Sequence, residues 1–457
     1  MDSPRAGSFT AELDRSALPW EARPFRELLR LSGPMVISLL SVSAMTLVDT
    51  LFIGWLGSTE LAAVGLGGMG VFTVVSFGTA LFGAARVRVG EAVGQGNDAA
   101  VRSELGAFLR VAVVLGLIST AVALVLGFFL PLLTSDLGTA LLARDYVLVR
   151  ALSCPLVLVT QALAQWRQAR GDSSGPMRAT LVANVVHAPL DAALIFGLGL
   201  GVAGAAWASV ASALVEAGLL VWLQRPEGFF VGRSSWSQAL STVRRGLPSG
   251  LERVLDMIAF TVVPLLLLEV GPVQVAAHQI VLQLSLVSFL PLIAISEAVC
   301  ILVSQVVGAG RLALLVVLTR SGLALAGGYA ALLCLLFLAA PSTLIRLFND
   351  EAPVVLVGVV TLRWAALLQL INAFYNLFKG ILRGLSAIRL VAWVTVLCAW
   401  IFTPPLTFLW GVRGGYGAPG AWLALCVEVS VGTAILGARL LTHPLLRRGT
   451  AELATPS

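Results

Sequence analysis

Charged side chains are scarce in this sequence, and their scarcity indicates the class of protein. Only 12% of the 457 residues are Asp, Glu, Lys or Arg, whereas 58% are hydrophobic and the mean hydropathy is +0.94. A water-soluble fold of this length needs more polar side chains to cover its surface. Apolar runs longer than about 18 residues recur along the chain, which predicts a polytopic membrane protein.

Several motifs that carry chemistry are also missing. The chain has three histidines and no His-Glu-x-x-His pattern, which argues against a membrane metalloenzyme, and no Gly-x-x-x-x-Gly-Lys-Ser/Thr loop for ATP. The five cysteines fall inside apolar runs without a disulfide spacing and are interpreted as packing residues. No secretory signal is visible, and the basic residues are spread over loops, so nucleic acid is not an expected partner. We therefore expect no enzymatic activity and no cofactor.

Twelve apolar runs are long enough to cross about 30 Å of hydrocarbon as helices. They cover approximately residues 30–53, 62–85, 106–130, 146–166, 178–198, 203–223, 246–268, 275–303, 313–340, 354–378, 388–410 and 418–440. With both termini in the cytoplasm, 24 of the 30 lysines and arginines fall in cytoplasmic segments. The sequence therefore predicts an all-α, multi-pass protein of the cell membrane, here a bacterial inner membrane.

The chain also contains an internal repeat. Residues 34–96 align without gaps on residues 248–310 at an offset of 214, and twelve of the 63 positions are identical, among them helix-breaking prolines and loop glycines. Two pseudo-symmetric six-helix bundles on one plan are a known architecture of secondary transporters. The predicted divisions are a cytoplasmic segment 1–27, an N-lobe 28–223, a cytoplasmic linker 224–245, a C-lobe 246–441 and a cytoplasmic tail 442–457.

Ionisable groups inside the predicted spans mark a candidate ion path, because they are expensive to bury in lipid. In span 5, Asn184, His187 and Asp191 are three and four residues apart and share one helix face. Asp49 lies late in span 1, at the same predicted membrane depth as Asp191. Two carboxylates in a low-dielectric pocket cannot both stay ionised alone, so we expect them to take up a proton or bind Na⁺. A static hydrogen-bonded seam is the alternative.

Two prolines are candidate hinges, since a proline inside a helix removes a backbone hydrogen bond. Pro34 lies fifteen residues before Asp49, and its counterpart in the repeat is Pro248. A simpler alternative is that Pro34 marks the start of the first helix.

The second half carries fewer candidate groups. Asp256 in span 7 either pairs with Arg253, three residues earlier, or contributes negative charge to a cavity wall. His278 and Gln279 give span 8 a polar face that suits either hydrogen bonding between helices or substrate contact.

Segments along nearly the whole chain resemble one transporter family. The matching segments are Val48-Asp49-Thr50-Leu51-Phe52-Ile53-Gly54, Leu56-Gly57, Leu61-Ala62-Ala63-Val64-Gly65, Val93-Gly94-Gln95-Gly96, Arg170-Gly171-Asp172, Leu190-Asp191, Leu194-Ile195-Phe196-Gly197, Gly204-Ala205-Ala206, Gly246-Leu247-Pro248, Ala276-Ala277-His278-Gln279-Ile280, Val307-Gly308-Ala309-Gly310 and Leu382-Arg383-Gly384. In this order and spacing they resemble the multidrug and toxic compound extrusion (MATE) transporters. The resemblance implies a twelve-helix, two-lobe fold with a central V-shaped cavity, and export of drug-like, often cationic compounds in exchange for H⁺ or Na⁺.

The same resemblance implies an N-lobe cation site at Asp49, His187, Asp191 and Ser209, in the stripe that also holds Asn184. The family usually has asparagine where this chain has His187. Loss of that amide oxygen weakens an oxygen cage for Na⁺, which favours protons and makes His187 a candidate proton carrier. In the family, protonation near this site accompanies bending of span 1 at the position of Pro34.

The C-lobe departs from the family pattern as well. The branch that couples cations there has acids in spans 7 and 10; Asp256 matches the first, but Asn372 stands at the second. One carboxylate is a poor cation site, so Asp256, His278, Gln279 and Asn372 are interpreted as substrate contacts in the cavity.

Together these features predict a monomeric, cation-coupled antiporter for small organic, cationic compounds. One elementary charge crossing 100 mV releases about 2.3 kcal/mol, which supports roughly a fifty-fold substrate gradient. The alternative is a flippase for a lipid-linked precursor, which would need arginines for the diphosphate; Arg253 and Arg363 are the candidates within the second half.

Overall fold

The computed structural model describes residues 18–132, 136–229 and 234–454, and within these ranges the backbone forms helices and turns without a strand. In chain order the helices are α1 (Pro24–Leu56), α2 (Ser58–Gly94), α3 (Asp98–Phe129), α4 (Leu137–Arg150), α5 (Cys154–Ala169), α6 (Ser174–Ala192), α7 (Gly201–Gln224), α8 (Trp236–Leu268), α9 (Pro272–Ala309), α10 (Ala313–Ala339), α11 (Pro341–Arg346), α12 (Ala352–Gly384), α13 (Ile388–Leu406), α14 (Gly417–Leu441) and α15 (Pro444–Ala454). Residues 1–17 and 455–457 of the predicted terminal segments, and residues 230–233 of the predicted linker, lie outside the described residues.

Twelve helical segments are long enough to span a bilayer. In the described part of the chain, eleven of them combine at least 18 residues with a strongly apolar composition. The twelfth, α8, has 33 residues but also contains Arg244, Arg245, Glu252, Arg253 and Asp256. The predicted all-α, twelve-helix architecture is thereby confirmed.

Several spans are interrupted in ways that an apolar run does not reveal. The fourth span consists of α4, a 3₁₀ turn at Ala151–Ser153, and α5. Pro155 follows this turn and, lacking an N–H, cannot continue the hydrogen-bond ladder. After α6 and after α13 the backbone widens into π-helical turns at Ala193–Gly197 and Thr407–Arg413. Such turns occur frequently at functional sites.

The loop glycines that match in the repeat share an unusual backbone conformation, with positive φ. Gly57 and Gly271, which correspond at the offset of 214, have φ of 153° and 136°. Gly96 and Gly310, a second corresponding pair, have φ of 66° and 68°. Side chains other than glycine are strained in this region. The matched glycines therefore end equivalent helices with the same backbone conformation.

The candidate hinge prolines both lie within helices. α1 begins at Pro24, ten residues before Pro34, so Pro34 is an interior proline and does not mark the start of the helix. The hydroxyl of Ser38 donates to the Pro34 carbonyl at 3.1 Å. α8 likewise continues through Pro248.

The described residues divide into two compact units. The N-terminal unit comprises residues 33–89 and 98–254, and the C-terminal unit comprises residues 18–32, 90–97 and 255–454. In the N-terminal unit, α6 packs against α7, and α7 also packs against α4 and α5. A buried apolar cluster that includes Ile53 of α1 and Ile195 of the π turn lies beside these helices. This packing holds the second half of α1 and the end of α6 in one core.

In the C-terminal unit, α9, α12 and α14 form the central packing. The end of α2 crosses α9 so closely that both helices need glycine there. A Cβ on Gly94 would lie 2.0 Å from the Gln305 carbonyl oxygen, and one on Gly308 would lie 2.1 Å from the Glu91 carbonyl oxygen. Gly94 and Gly308 are themselves a pair in the repeat.

Candidate cation-coupling site

The candidate site lies in the N-terminal unit, where the second half of α1 meets α6. Asp49 is seven residues before the end of α1. On α6, Asn184, His187 and Asp191 follow one another at helical spacing, as the sequence pattern predicts. Pro189 lies within this helix and the π turn at Ala193–Gly197 follows Asp191 directly, so the backbone next to the site is irregular.

The structure brings Asp49, His187 and Asp191 together. One ligand atom from each, two carboxylate oxygens and one imidazole nitrogen, lies within 4.8 Å of the other two. His187 Nε2 is 3.2 Å from Asp49 Oδ1, an ion-pair distance, although the angles do not make it a hydrogen bond. Three convergent ligand atoms from two helices form a compact cradle for a small cation.

The site is buried and poorly satisfied by the protein itself. Asp191 is 0% exposed, and neither of its carboxylate oxygens has a hydrogen-bond partner. Asp49 remains 32% exposed at its side chain, so one carboxylate faces accessible space while the other is enclosed. Unsatisfied buried carboxylate oxygens are costly, and a proton or a metal cation would remove that cost.

Three aromatic rings lie beside the site, towards the end of α1. The ring centroids of Phe52 and Phe196 are 5.9 Å apart in an edge-to-face arrangement, and Trp55 packs against both. Phe52 follows Asp49 by three residues, and Phe196 belongs to the π turn. The rings therefore tie α1 to the segment that follows Asp191.

The other predicted N-lobe residues occupy neighbouring turns. Asn184 donates from Nδ2 to the Ser41 hydroxyl at 2.7 Å, which links α6 to α1 one turn before His187. Ser209 is buried on α7. Three residues later, the Ser212 hydroxyl donates to the Ala183 carbonyl at 3.1 Å, which links α7 to α6. Sequence reasoning did not identify Ser41, because it is one of four serines in α1 and the sequence does not show which of them faces α6.

The predicted C-lobe residues lie on three helices, α8, α9 and α12, and differ in their burial. Asp256 is half-buried on α8, and Gln279 is exposed on α9. Asn372 accepts a 2.7 Å hydrogen bond at Oδ1 from the side-chain amide of Asn376, four residues later in α12. The remaining residue, His278, is enclosed between helices.

His278 makes a hydrogen bond between α9 and α14. It is 1% exposed, and its Nδ1 accepts from the Trp422 indole N–H at 3.2 Å. Because the indole can only donate, Nδ1 is unprotonated and the neutral ring carries its proton on Nε2. Gln274, one turn earlier on α9, accepts from the Ala418 backbone N–H at 2.8 Å. These two bonds tie α9 and α14 together over one turn.

Two pairs of an acid and a threonine hydroxyl lie within the spans but were not among the predicted site residues. Glu428 of α14 accepts from Thr403 at 2.5 Å in the C-terminal unit. Glu216 of α7 accepts from Thr180 of α6 at 2.6 Å in the N-terminal unit. Both acids are visible in the sequence as charges within spans, but their partners are threonines on other helices, which only the fold identifies.

Comparison with known proteins agrees with this architecture. The MatE family model matches residues 34–193 and 248–409, so its two matches begin at the corresponding prolines of the repeat. A probable multidrug resistance protein NorM of Deinococcus radiodurans is 32% identical over 432 residues, covering 91% of this chain and 95% of that protein. The protein of the same name in Agrobacterium fabrum is 26% identical, covering 91% and 93%.

Solved structures show the same fold at lower sequence identity. A crystal structure of MATE in complex with MaL6 superposes with a TM-score of 0.86 at 18% identity, covering 94% of this chain and 98% of that one. The eukaryotic MATE transporter AtDTX14 superposes with a TM-score of 0.83 at 18% identity, covering 94% and 98%. From the family match over both halves, together with the NorM relatives, the chain belongs to the MATE family of membrane transporters.

Proposed function

We propose that this chain is a proton-coupled antiporter that exports drug-like, cationic organic compounds across the cell membrane. The observation that carries the proposal is the convergence of Asp49, His187 and Asp191, whose ligand atoms lie within 4.8 Å of one another. Among the described residues, no lysine or arginine forms an ion pair with either aspartate. The group therefore needs a mobile cation to balance its charge, and coupling consists of the arrival and departure of that cation.

Protons suit this set of ligands better than Na⁺. Na⁺, as a hard metal cation, prefers a cage made of oxygen ligands. Here one of the three converging ligand atoms is the imidazole nitrogen of His187, at 3.2 Å from Asp49. An imidazole nitrogen is a good proton acceptor, whereas Na⁺ is held better by oxygen ligands.

The direction of transport follows from the energy source. A proton that enters from an acidic exterior binds at the aspartates, and its passage inward with the membrane potential drives the organic compound outward. One charge moving across 100 mV contributes about 2.3 kcal/mol. The relatives named as multidrug resistance proteins support export of drug-like compounds over the flippase alternative.

The test is transport in proteoliposomes under an imposed pH gradient or an imposed Na⁺ gradient, with a fluorescent organic cation as the substrate. We expect Asp49→Asn and Asp191→Asn to lower pH-driven transport about ten-fold or more, since each removes a carboxylate that binds the coupling ion. Asp145→Asn is the matched control, because Asp145 belongs to the same unit, is exposed and pairs with the adjacent Arg144. Parental rates in both site variants would refute the coupling role, and transport driven only by Na⁺ would refute proton coupling.

A further inference from the structure

A second polar group lies in the same unit, nearer the other end of α6 and α7. The carboxylate of Glu216 accepts from the Thr180 hydroxyl at 2.6 Å. Thr180 is six residues after the start of α6, and Glu216 is eight residues before the end of α7. By the predicted topology these ends face the cytoplasm. The site at Asp49, His187 and Asp191 leaves this acid without an assigned role.

The Thr180 hydroxyl can serve either protonation state of Glu216. Its oxygen lies 2.6 Å from Glu216 Oε1 and 3.1 Å from the Pro176 carbonyl oxygen. A hydroxyl has a single proton, which can be donated to only one of the two acceptors at a time. When Glu216 is ionised, Thr180 donates to it. When Glu216 is protonated, Thr180 donates to Pro176 and accepts from Glu216.

Hydrogen-bonding groups occupy the turns between the cation site and Glu216. On α6, Thr180, Asn184, His187 and Asp191 recur at spacings of four, three and four residues and share one face. The eleven residues from Thr180 to Asp191 span about 16 Å at 1.5 Å per residue. The midpoint of this face is held by the 2.7 Å bond from Asn184 to Ser41 of α1.

α7 contributes a matching face. Ser209, Ser212 and Glu216 are spaced by three and four residues, so they lie along one side of α7. The Ser212 hydroxyl donates to the Ala183 carbonyl at 3.1 Å, and Ser209 and Ser212 are both buried. α6 and α7 thus make polar contacts both at Ser212, which is buried, and at Glu216, which is half-buried.

Other charges on the neighbouring helices are engaged elsewhere or exposed. Apart from the cation site, the helices packed against α7 carry Arg144, Asp145, Arg150, Arg167 and Arg178. Arg144 bonds Asp145, Arg150 donates to a serine three residues later, and Arg167 pairs with an aspartate five residues later at 2.7 Å. Arg178 is exposed. Within the described part of the chain, the hydrogen bond to the Glu216 carboxylate comes from Thr180.

We infer that Glu216 is the inner proton acceptor of the transport cycle, an inference that rests on the proposed proton coupling. A proton leaves the carboxylic acid at Asp49 or Asp191, which returns to a carboxylate, and passes along the hydroxyls and water to the Glu216 carboxylate. Glu216 becomes a carboxylic acid and then releases the proton towards the cytoplasm. The competing explanation is a static tie between α6 and α7.

The test measures substrate-driven proton flux in proteoliposomes that enclose a pH-sensitive dye. Glu216→Gln retains the shape and a hydrogen bond to Thr180 but cannot carry a proton, so we expect the flux to fall about ten-fold or more. Glu216→Asp should restore most of the flux, and Thr180→Val should lower it. Substrate binding by the purified protein and its Tm should stay at parental values in Glu216→Gln. Asp145→Asn serves as the control.

The outcomes separate the two proposals. Parental flux in Glu216→Gln, with flux abolished in Asp49→Asn, overturns the inner acceptor and leaves the coupling site intact. If Glu216→Gln and Glu216→Asp lose flux equally and both have a lowered Tm, the inner-acceptor proposal is overturned in favour of a static tie. If Glu216→Gln does not fold, parental flux in Thr180→Val overturns the proposal in the same way. Absence of substrate-driven proton flux in the parental protein overturns both proposals.

Discussion

Replacing one of the two aspartates has an effect on pH dependence that the site geometry allows us to calculate. Asp49 and Asp191 each place a carboxylate oxygen within 4.8 Å of the other. At an effective dielectric constant near 20, two unit charges at 4.8 Å repel by about 3.5 kcal/mol. A cation that neutralises one carboxylate relieves this repulsion, and Asp191→Asn removes the effect because a single charge remains.

The expected shift follows from converting that energy into proton affinity. An energy of 3.5 kcal/mol corresponds to roughly a 300-fold change in affinity for the coupling cation. Asp49 is 32% exposed, and solvent screens part of the repulsion. We therefore expect the midpoint of transport against external pH to move towards acid in Asp191→Asn, by less than this full change in affinity. The sign is acidic because a site with one negative charge needs a higher proton concentration to fill.

The assay is uptake of a fluorescent cation into proteoliposomes at a fixed membrane potential, with external pH varied and internal pH held constant. The parental protein and Asp145→Asn should share one midpoint, because Asp145 is exposed and far from α6 in sequence. Identical midpoints in the parental protein and Asp191→Asn would refute the argument that the two carboxylates share a cation. A change in maximal rate without a change in midpoint would refute it equally.

Two further predictions concern folding. Gly308→Ala places a Cβ 2.1 Å from the Glu91 carbonyl oxygen, so it should lower the Tm or abolish folding. The control is Gly327→Ala, which should keep the parental Tm because a Cβ there would have no atom within 4 Å. Equal Tm values in the two variants would contradict the close crossing of α2 and α9. Asp136 caps α4, and its hydrogen bond from the Thr139 hydroxyl lowers the pKa of its carboxyl below 3.8. This stabilisation is complete above pH 3.8 and is lost as the pH falls through the lowered pKa. Asp136→Asn cannot lose it, so in acid its Tm should depend less on pH than the Tm of the parental protein. Thermal unfolding at several acidic pH values measures the difference.

Much of the fold follows from elementary features of the sequence. Apolar run length predicts the spans, because lipid offers no hydrogen bonds to an unfolded backbone. The most highly charged span, α8, is still identified, since the alternation of basic residues requires it. The interruptions at Ala151–Ser153, Ala193–Gly197 and Thr407–Arg413 are not predicted, because a local change of hydrogen-bond register leaves the apolar pattern unchanged.

The candidate site could be predicted only in part. The i, i+3, i+7 spacing of Asn184, His187 and Asp191 places them on one face by helix geometry alone. Their proximity to Asp49 depends on how α1 packs on α6, and the sequence indicates only that both acids lie at a similar depth. The bond between Thr180 and Glu216 depends on the rotation of α6 against α7, which hydrophobic pattern does not define in spans that are apolar on most faces.

The repeat also separates the shared backbone plan from the side chains of the proposed cation site. Two of the matched glycine pairs, Gly57 with Gly271 and Gly96 with Gly310, lie where the backbone leaves a helix, and all four residues have positive φ. Asp49 corresponds to Val263, which is 1% exposed and packs in the core of the C-terminal unit. Shared glycines therefore preserve the backbone plan, while side chains inside the spans have diverged. The coupling that we propose at Asp49 requires no equivalent in the second half, because one cation that binds to and leaves a single unit suffices to change the charge of the transporter.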